Sequence, residues 1–281
     1  MRTVILFVLT LSVAGTSLAQ GPASIANGNC QSLRSITIGI VPWTSADLTQ
    51  IWAHKLGQYF KLNSCIDAKF ESAQDYRHFI ERAINGDYNY IDVPPHVGSY
   101  MILKHQFRVI GIEDWESDTL FVARLGSGIS TIEQAARRPV GIPDPLAAVT
   151  QIAKAYFAKL SLSPPRYINF HNHNSVLSAV LNAEVDSGVI ISPIYNSYQH
   201  LLKDRIRILH REPADLVGLL LARPGTSDDS IEQLNKLLAG FDEGTTKLWQ
   251  KWLPVDPARI ENFHQREAES VQWLTEQLQS Q

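Results

Sequence analysis

The chain has 281 residues, of which 44% are hydrophobic and 19% charged, and its net charge is −3. That balance excludes a disordered chain, and the absence of a Lys/Arg-rich stripe interleaved with aromatics excludes nucleic acid as a partner. The length points to two lobes of roughly 100 to 150 residues each, either able to bury its own core.

Met1 to Ala14 holds one basic residue and then an apolar run too short to span a bilayer, followed by the small-x-small pattern Ser17-Leu18-Ala19. Residues 1–19 therefore read as a secretory signal cleaved after Ala19, and the expected location is the periplasm. No Cys stands directly after that point, which argues against a lipid anchor. Cys30 and Cys65 then lie in an oxidising compartment, and an even count there predicts that they pair. Cys30 precedes the first predicted strand and Cys65 the second, so parallel neighbours would bring both to one sheet edge. An unstrained bridge would be worth about 3 to 4 kcal/mol. The alternatives are two inert thiols, or a metal site, for which two sulfurs at this spacing are a poor signature.

The stretch Ile36 to Val41 is rich in β-branched residues and reads as a buried strand that Pro42 ends. Apolar residues at Leu48, Ile51, Trp52, Leu56, Tyr59 and Phe60 recur at helical spacing, so a helix from Ala46 to Phe60 follows, capped by Thr44 or Ser45. Its start lies at the carboxyl end of a strand, where open α/β sheets bind ligands, and Trp43, Thr44 and Ser45 become candidate ligand contacts. Then come a strand at Ile66–Phe70, a helix from Ala73 to Asn85, and a strand at Tyr88–Val93 that breaks into Pro94-Pro95-His96. A short helix from Ser99 to Lys104 and a strand from Phe107 to Ile112 complete an alternation that demands a largely parallel sheet.

After a polar turn at Glu113–Asp118, a strand at Thr119–Arg124 leaves the first lobe and the alternation restarts. A helix over Thr131–Arg138 with Ser130 as cap leads to a strand at Pro139–Ile142 and a helix over Ala147–Leu160. A strand at Arg166–Phe170, a helix over Ser175–Asn182 and a strand at Ser187–Ile191 follow. Asp215–Arg223 is expected to pair antiparallel with 119–124 and return the chain to the first lobe, the two crossings forming a hinge. Helices at Ser230–Phe241, Thr245–Trp252 and Glu267–Leu278 cap the structure. The expected division is lobe one at 33–118 plus 214–281 and lobe two at 119–213.

The order of these elements, with Ile38-Gly-Ile-Val-Pro42, Ile84-Asn-Gly-Asp87, Pro94-Pro95 and Val180-Leu-Asn-Ala-Glu-Val-Asp-Ser-Gly-Val189, resembles the periplasmic solute-binding proteins of the phosphonate, phosphate and phosphite type. The resemblance covers about residues 36 to 240 and implies an α/β type II binding-protein fold. It implies two lobes, each a mainly parallel sheet flanked by helices, joined by a two-strand hinge. It also implies a small anion or polar solute, with an oxyanion such as phosphonate or phosphite as one candidate, held in the interlobe cleft and passed to an ABC importer. His173 lines up with a ligand-binding histidine of that family. The Ser/Thr-rich anion loop of the family is replaced by Pro143-Asp-Pro-Leu-Ala-Ala-Val-Thr150. That leaves the backbone N–H groups at 146 to 148, with Ala147 and Ala148 among them, and the Thr150 hydroxyl as candidates, while Asp144 would repel an anion if it faced the cleft.

His171-Asn-His-Asn174 is expected at the cleft rim of lobe two, with His96 on the facing lobe. Alternate histidines on a loop point apart, so one of the two faces the ligand and a shared metal is not expected. Trp43, Trp115 and Tyr195 can supply flat walls, and Ser192 to Tyr195 ends a lobe-two strand facing the cleft. The acidic pairs Glu113-Asp114 and Asp228-Asp229 read as solvated turns. No nucleophile elbow, phosphate loop, zinc helix or redox Cys pair is present, so no enzyme and no cofactor is expected. The expected protein is a monomer whose closed face meets an ABC permease. The alternative is a ligand-sensing accessory to a membrane sensor kinase, or a periplasmic maturation factor.

Overall fold

The computed structural model describes residues 34–113, 117–161, 163–213, 217–241, 252–253, 255 and 257–280. The first lobe opens with β1 (Arg34–Ile40), α1 (Ala46–Asn63), β2 (Ile66–Glu71), α2 (Tyr76–Ile84), β3 (Tyr90–Val93), α3 (Pro95–His105) and β4 (Arg108–Glu113). The second consists of β5 (Thr119–Arg124), α4 (Ile132–Ala135), β6 (Val140–Ile142), α5 (Ala148–Lys159), β7 (Tyr167–Asn169), α6 (His173–Leu181), β8 (Ser187–Ile191), α7 (Ser192–Ser197), α8 (Gln199–Leu202) and β9 (Ile206–Glu212). The chain then returns through β10 (Leu219–Ala222), α9 (Asp228–Gly240), β11 (Trp252–Leu253), α10 (Pro257–Arg266) and α11 (Ala268–Gln279).

The first sheet has the order β11-β4-β10-β3-β1-β2 and the second β7-β6-β8-β5-β9. In each, four strands share one direction, and the strand that follows a crossing is inserted antiparallel between two of them. β10 lies between β3 and β4, and β5 lies between β8 and β9. The expected pairing of 215–223 with 119–124 is therefore corrected: each crossing strand joins the middle of its own sheet, where its apolar side chains are covered on both faces. Leu219 and Leu221 face one layer, with Val97 and Met101 of α3 and Phe79 of α2. Leu220 and Ala222 face the other, with Trp52, Leu56 and Phe60 of α1 and Leu234 of α9. This period-two division gives the two-lobe type II binding-protein architecture that the resemblance implied.

Local boundaries differ from the sequence reading for identifiable reasons. Pro95 starts α3 instead of ending a strand, because proline's fixed φ suits the first helical turn. His96 thus lies in a helix. Thr131, not Ser130, caps α4, its side chain accepting from the Gln134 N–H. Ser45 occupies the cap position of α1 without a side-chain bond, and Ile51, placed on that helix's buried stripe, is 52% exposed. Ser192–Tyr195, read as the end of a strand, instead opens α7, with Pro193 in its first turn, and α7, α8, β9 and α10 had no counterpart in the sequence reading. Trp252 is in a strand, and the rest of the helix expected at 245–252 lies outside the described residues, as do Trp115, Asp114 and Cys30. No cysteine among the described residues is a free thiol.

Two glycines make opposite predictions. A Cβ on Gly39 in β1 would come 2.6 Å from the ring of Tyr88, which is fully buried and stacked on Phe79 at 5.3 Å. A Cβ on Gly57 in α1 would meet the Ala68 carbonyl at 3.6 Å and the Phe70 ring at 3.8 Å, both ordinary van der Waals contacts. Gly39→Ala should cost about 1–3 kcal/mol by overpacking, whereas Gly57→Ala should gain about 0.5–1 kcal/mol of helix stability. Urea denaturation of the two variants checks both signs.

Candidate functional site

The carboxyl ends of β1, β3, β4 and β8 and the N-termini of α5 and α6 meet around one cavity of about 70 Å³ between the lobes. At roughly 10–15 Å³ for each water-sized occupant, it holds a ligand of only a few non-hydrogen atoms. Its walls are mainly apolar, including Val41, Val93, Ile191 and Val217, with Trp43 and Tyr76 as the aromatic members. The polar side chains lining it are Asp92, Glu113, Ser117, His173 and Tyr76, and no lysine or arginine is among the described lining residues.

The turns that frame this cavity bond directly to one another across the lobes. The His173 N–H donates to the Trp43 carbonyl at 3.2 Å. Asn174 Oδ1 accepts from the Thr44 hydroxyl at 2.8 Å and from the Ser45 N–H at 3.2 Å, while its amide donates to the Tyr198 hydroxyl at 3.3 Å. His96 Nε2 donates to the Leu146 carbonyl at 2.9 Å, which fixes that tautomer. The Tyr76 N–H donates to Asp144 Oδ2 at 3.4 Å. The lobes are thus closed and latched by protein groups.

Of the residues singled out in the sequence, Trp43, Ala147, Ala148 and His173 line the cavity. Thr44, Ser45 and His96 belong to the latch. Thr150 is buried and donates to the Asp144 carbonyl at 2.7 Å, and the Ser192 hydroxyl accepts from the Asp118 N–H at 3.0 Å, tying down the crossing into lobe two. Tyr195 packs on the core. His171 is exposed while His173 points inward, as alternate residues do.

The altered anion loop is self-contained. Asp144, 3% exposed, accepts from the Leu146 N–H through Oδ1 at 2.7 Å, and its carbonyl accepts from the Ala147 N–H at 3.0 Å. Two of the three N–H groups expected to face a ligand are therefore taken by this one residue. Burial raises the Asp144 carboxyl above its usual range, and the N–H bonds from Leu146 and Tyr76 pull against that rise. At the start of α6, Asn172 caps Ser175 and Trp43 takes the His173 N–H, so that terminus is filled as well.

Asp92 and Glu113 were missed as site residues. Both are 5% exposed, and Glu113 is not the solvated turn residue that the Glu113-Asp114 pair suggested. Its Oε2 accepts from the Gly218 N–H at 2.9 Å. Burial, with the Glu113 charge adding to it, pushes Asp92 well above the usual carboxyl range. The available signal was a charged residue inside the apolar strand Tyr90-Ile-Asp-Val93.

Burial holds His96 down to about 4 and His173 down to about 3, so both imidazoles are neutral at ordinary pH. The unfolded chain protonates His96 near 6.5 but the folded chain only near 4, so its contribution to stability falls as pH drops through that window. The effect is at most about 1.4 kcal/mol per pH unit. The stability difference between the wild type and His96→Gln should therefore grow as pH rises from about 4 to 6.5 and stay flat above, which urea titrations across that range will check.

A family model described as "ABC transporter, phosphonate, periplasmic substrate-binding protein" matches residues 38–262. A search of curated protein sequences finds no match. Among solved structures, PhnD1 from Prochlorococcus marinus in complex with methylphosphonate is 10% identical with a TM-score of 0.67, covering 84% of this chain and 98% of that one. A binding-protein component of an ABC phosphonate transporter from Pseudomonas aeruginosa is 18% identical with a TM-score of 0.68, covering 88% and 96%. The alkanesulfonate-binding protein SsuA from Xanthomonas axonopodis pv. citri, bound to MOPS, is 13% identical with a TM-score of 0.59, covering 88% and 94%. At such identities the likeness concerns the fold alone. The match of the family model over most of the length, on a two-lobe fold with an interlobe cavity, carries the assignment: the chain belongs to the phosphonate-type periplasmic substrate-binding proteins of ABC transporters, non-catalytic carriers that deliver a small ligand to a membrane permease.

Proposed function

We propose that the protein binds its solute in the cavity between the lobes and holds it by closing the latch formed by Trp43, Thr44, Ser45, His96, His173 and Asn174. The observation that carries this reading is the set of direct bonds from Thr44 and Ser45 to Asn174 beside a cavity that both lobes line. Trp43, Ala147, Ala148 and His173 touch the ligand; Thr44, Ser45 and His96 hold the lobes together around it; Thr150, Ser192 and Tyr195 keep the framing turns in place. The lobes divide as 33–118 with 214–281 and 119–213, so that both crossings act as the hinge.

Closure is a two-state equilibrium, and a solute shifts it only by binding the closed form better. Removing the shared acceptor with Asn174→Ala should move the empty protein toward an open form with a larger radius of gyration in small-angle scattering. Mass spectrometry of the natively purified wild type, after denaturation, should detect a released small molecule. A variant as compact as the wild type and a wild type that carries no solute under any growth condition would overturn the reading. A partnership with a sensor kinase would use the same closed face, and co-purification from membranes with a permease or a kinase separates the two. We take the circulating form to be a monomer cleaved after Ala19, with Cys30 bridged to Cys65. Intact mass before and after reduction, with light scattering, checks all three.

A further inference from the structure

The positions at which an oxyanion would be gripped are already occupied by the protein's own acceptors. Asp144 takes the N–H groups of Leu146, Ala147 and Tyr76, and the Trp43 carbonyl takes that of His173. Among the described residues no lysine or arginine lines the cavity, and His173, the one described lining residue that could become cationic, is neutral. What the cavity presents is acceptor chemistry. Asp92 is 95% buried, lines the cavity and makes no side-chain hydrogen bond among the described residues. Beside it lies Glu113, which accepts from the Gly218 N–H and whose charge acts on Asp92. A buried carboxyl without a hydrogen-bond partner is costly unless something that donates or carries positive charge reaches it.

Resting on the solute-binding reading above, we propose that the cavity takes a small alkylammonium ion, with its charged nitrogen against Asp92 and Glu113 and its alkyl part against Val41, Trp43, Ile191 and Val217. The mainly apolar walls and the volume of about 70 Å³ suit a few carbon atoms and one charged head. Trp43 and Tyr76 add ring faces that attract a cation. Gly218 is part of the site: a Cβ there would fall on the Glu113 carboxylate and displace it. Because burial raises the proton affinity of the Asp92 carboxyl, a cation competes there with a proton, and affinity falls as the pH is lowered.

The test titrates the mature protein with ethylammonium, trimethylammonium and methylphosphonate by calorimetry, with thermal unfolding alongside. At least one ammonium ion should bind and raise the melting temperature. Asp92→Asn should weaken it by ~10-fold or more, as loss of a charged partner does, and Gly218→Ala should weaken it as well. Asp92→Asn removes a buried charge without changing shape, so the empty variant should melt at or above the wild-type temperature, which separates lost binding from lost folding. Ammonium binding that Asp92→Asn leaves undiminished overturns the inference. Binding of methylphosphonate alone also overturns it while leaving solute binding in the cleft intact. Binding by none of the three overturns the inference, and the solute-binding reading falls with it only if the native preparation also releases no small molecule.

Discussion

Everything at the cleft follows from where the two crossing strands end up. A strand arriving from the other lobe must bury its polar backbone, and β5 and β10 do so by pairing on both sides in the middle of a sheet. Because β10 separates β3 from β4, the ends of those two strands flank the point where the chain re-enters lobe one. Asp92 and Glu113 owe their proximity to that insertion, as does the N–H of Gly218 on which Glu113 rests. The same topology repeated in lobe two sets a second row of strand ends opposite the first, which is how Ile191 and the α5 turn come to face Trp43.

Electrostatics and latch geometry are then set by turns a few residues long. Pro42 releases the chain from β1, Trp43 offers its carbonyl across the gap, and Thr44 and Ser45 meet Asn174. Neutral His96 donates to Leu146, and its low proton affinity is the result of being shut between the lobes. Asp144 binds its own loop to the start of α2. The N-terminal N–H groups of α5 and α6 that the resemblance offered to a ligand are here taken up by the protein's own acceptors.

The parts legible in the sequence were those governed by short-range pattern. The strand at β1, the helix at α1 and the alternation through both lobes follow from periodicity; Trp43 stood out because a strand end and a helix start were recognisable, whereas His173 was distinguished from His171 by the family resemblance. The partners of the crossing strands were not legible, since pairing of Leu220 with both Asp92 and Gly111 is a choice among distant segments. Glu113 looked solvated beside Asp114 because its cover, Gly218, comes 105 residues later. His96 seemed to stand on a broken strand because Pro94-Pro95 serves equally to stop one element and to begin the next. The departure at Asp144 was visible; that its carboxylate would satisfy its own loop depended on how the turn folds back.

The latch has a consequence for transport economy. Since its bonds join lobe to lobe without passing through a solute, nothing in them prevents an unloaded carrier from shutting, and a permease that felt only the shut outline would engage it for no cargo. The lone carboxyl at Asp92 opposes this, because shutting over it strips away its hydration and leaves it unmatched. Shape and charge therefore pull in opposite directions in the vacant protein, and under the proposed ammonium binding they pull in the same direction once the cavity is filled.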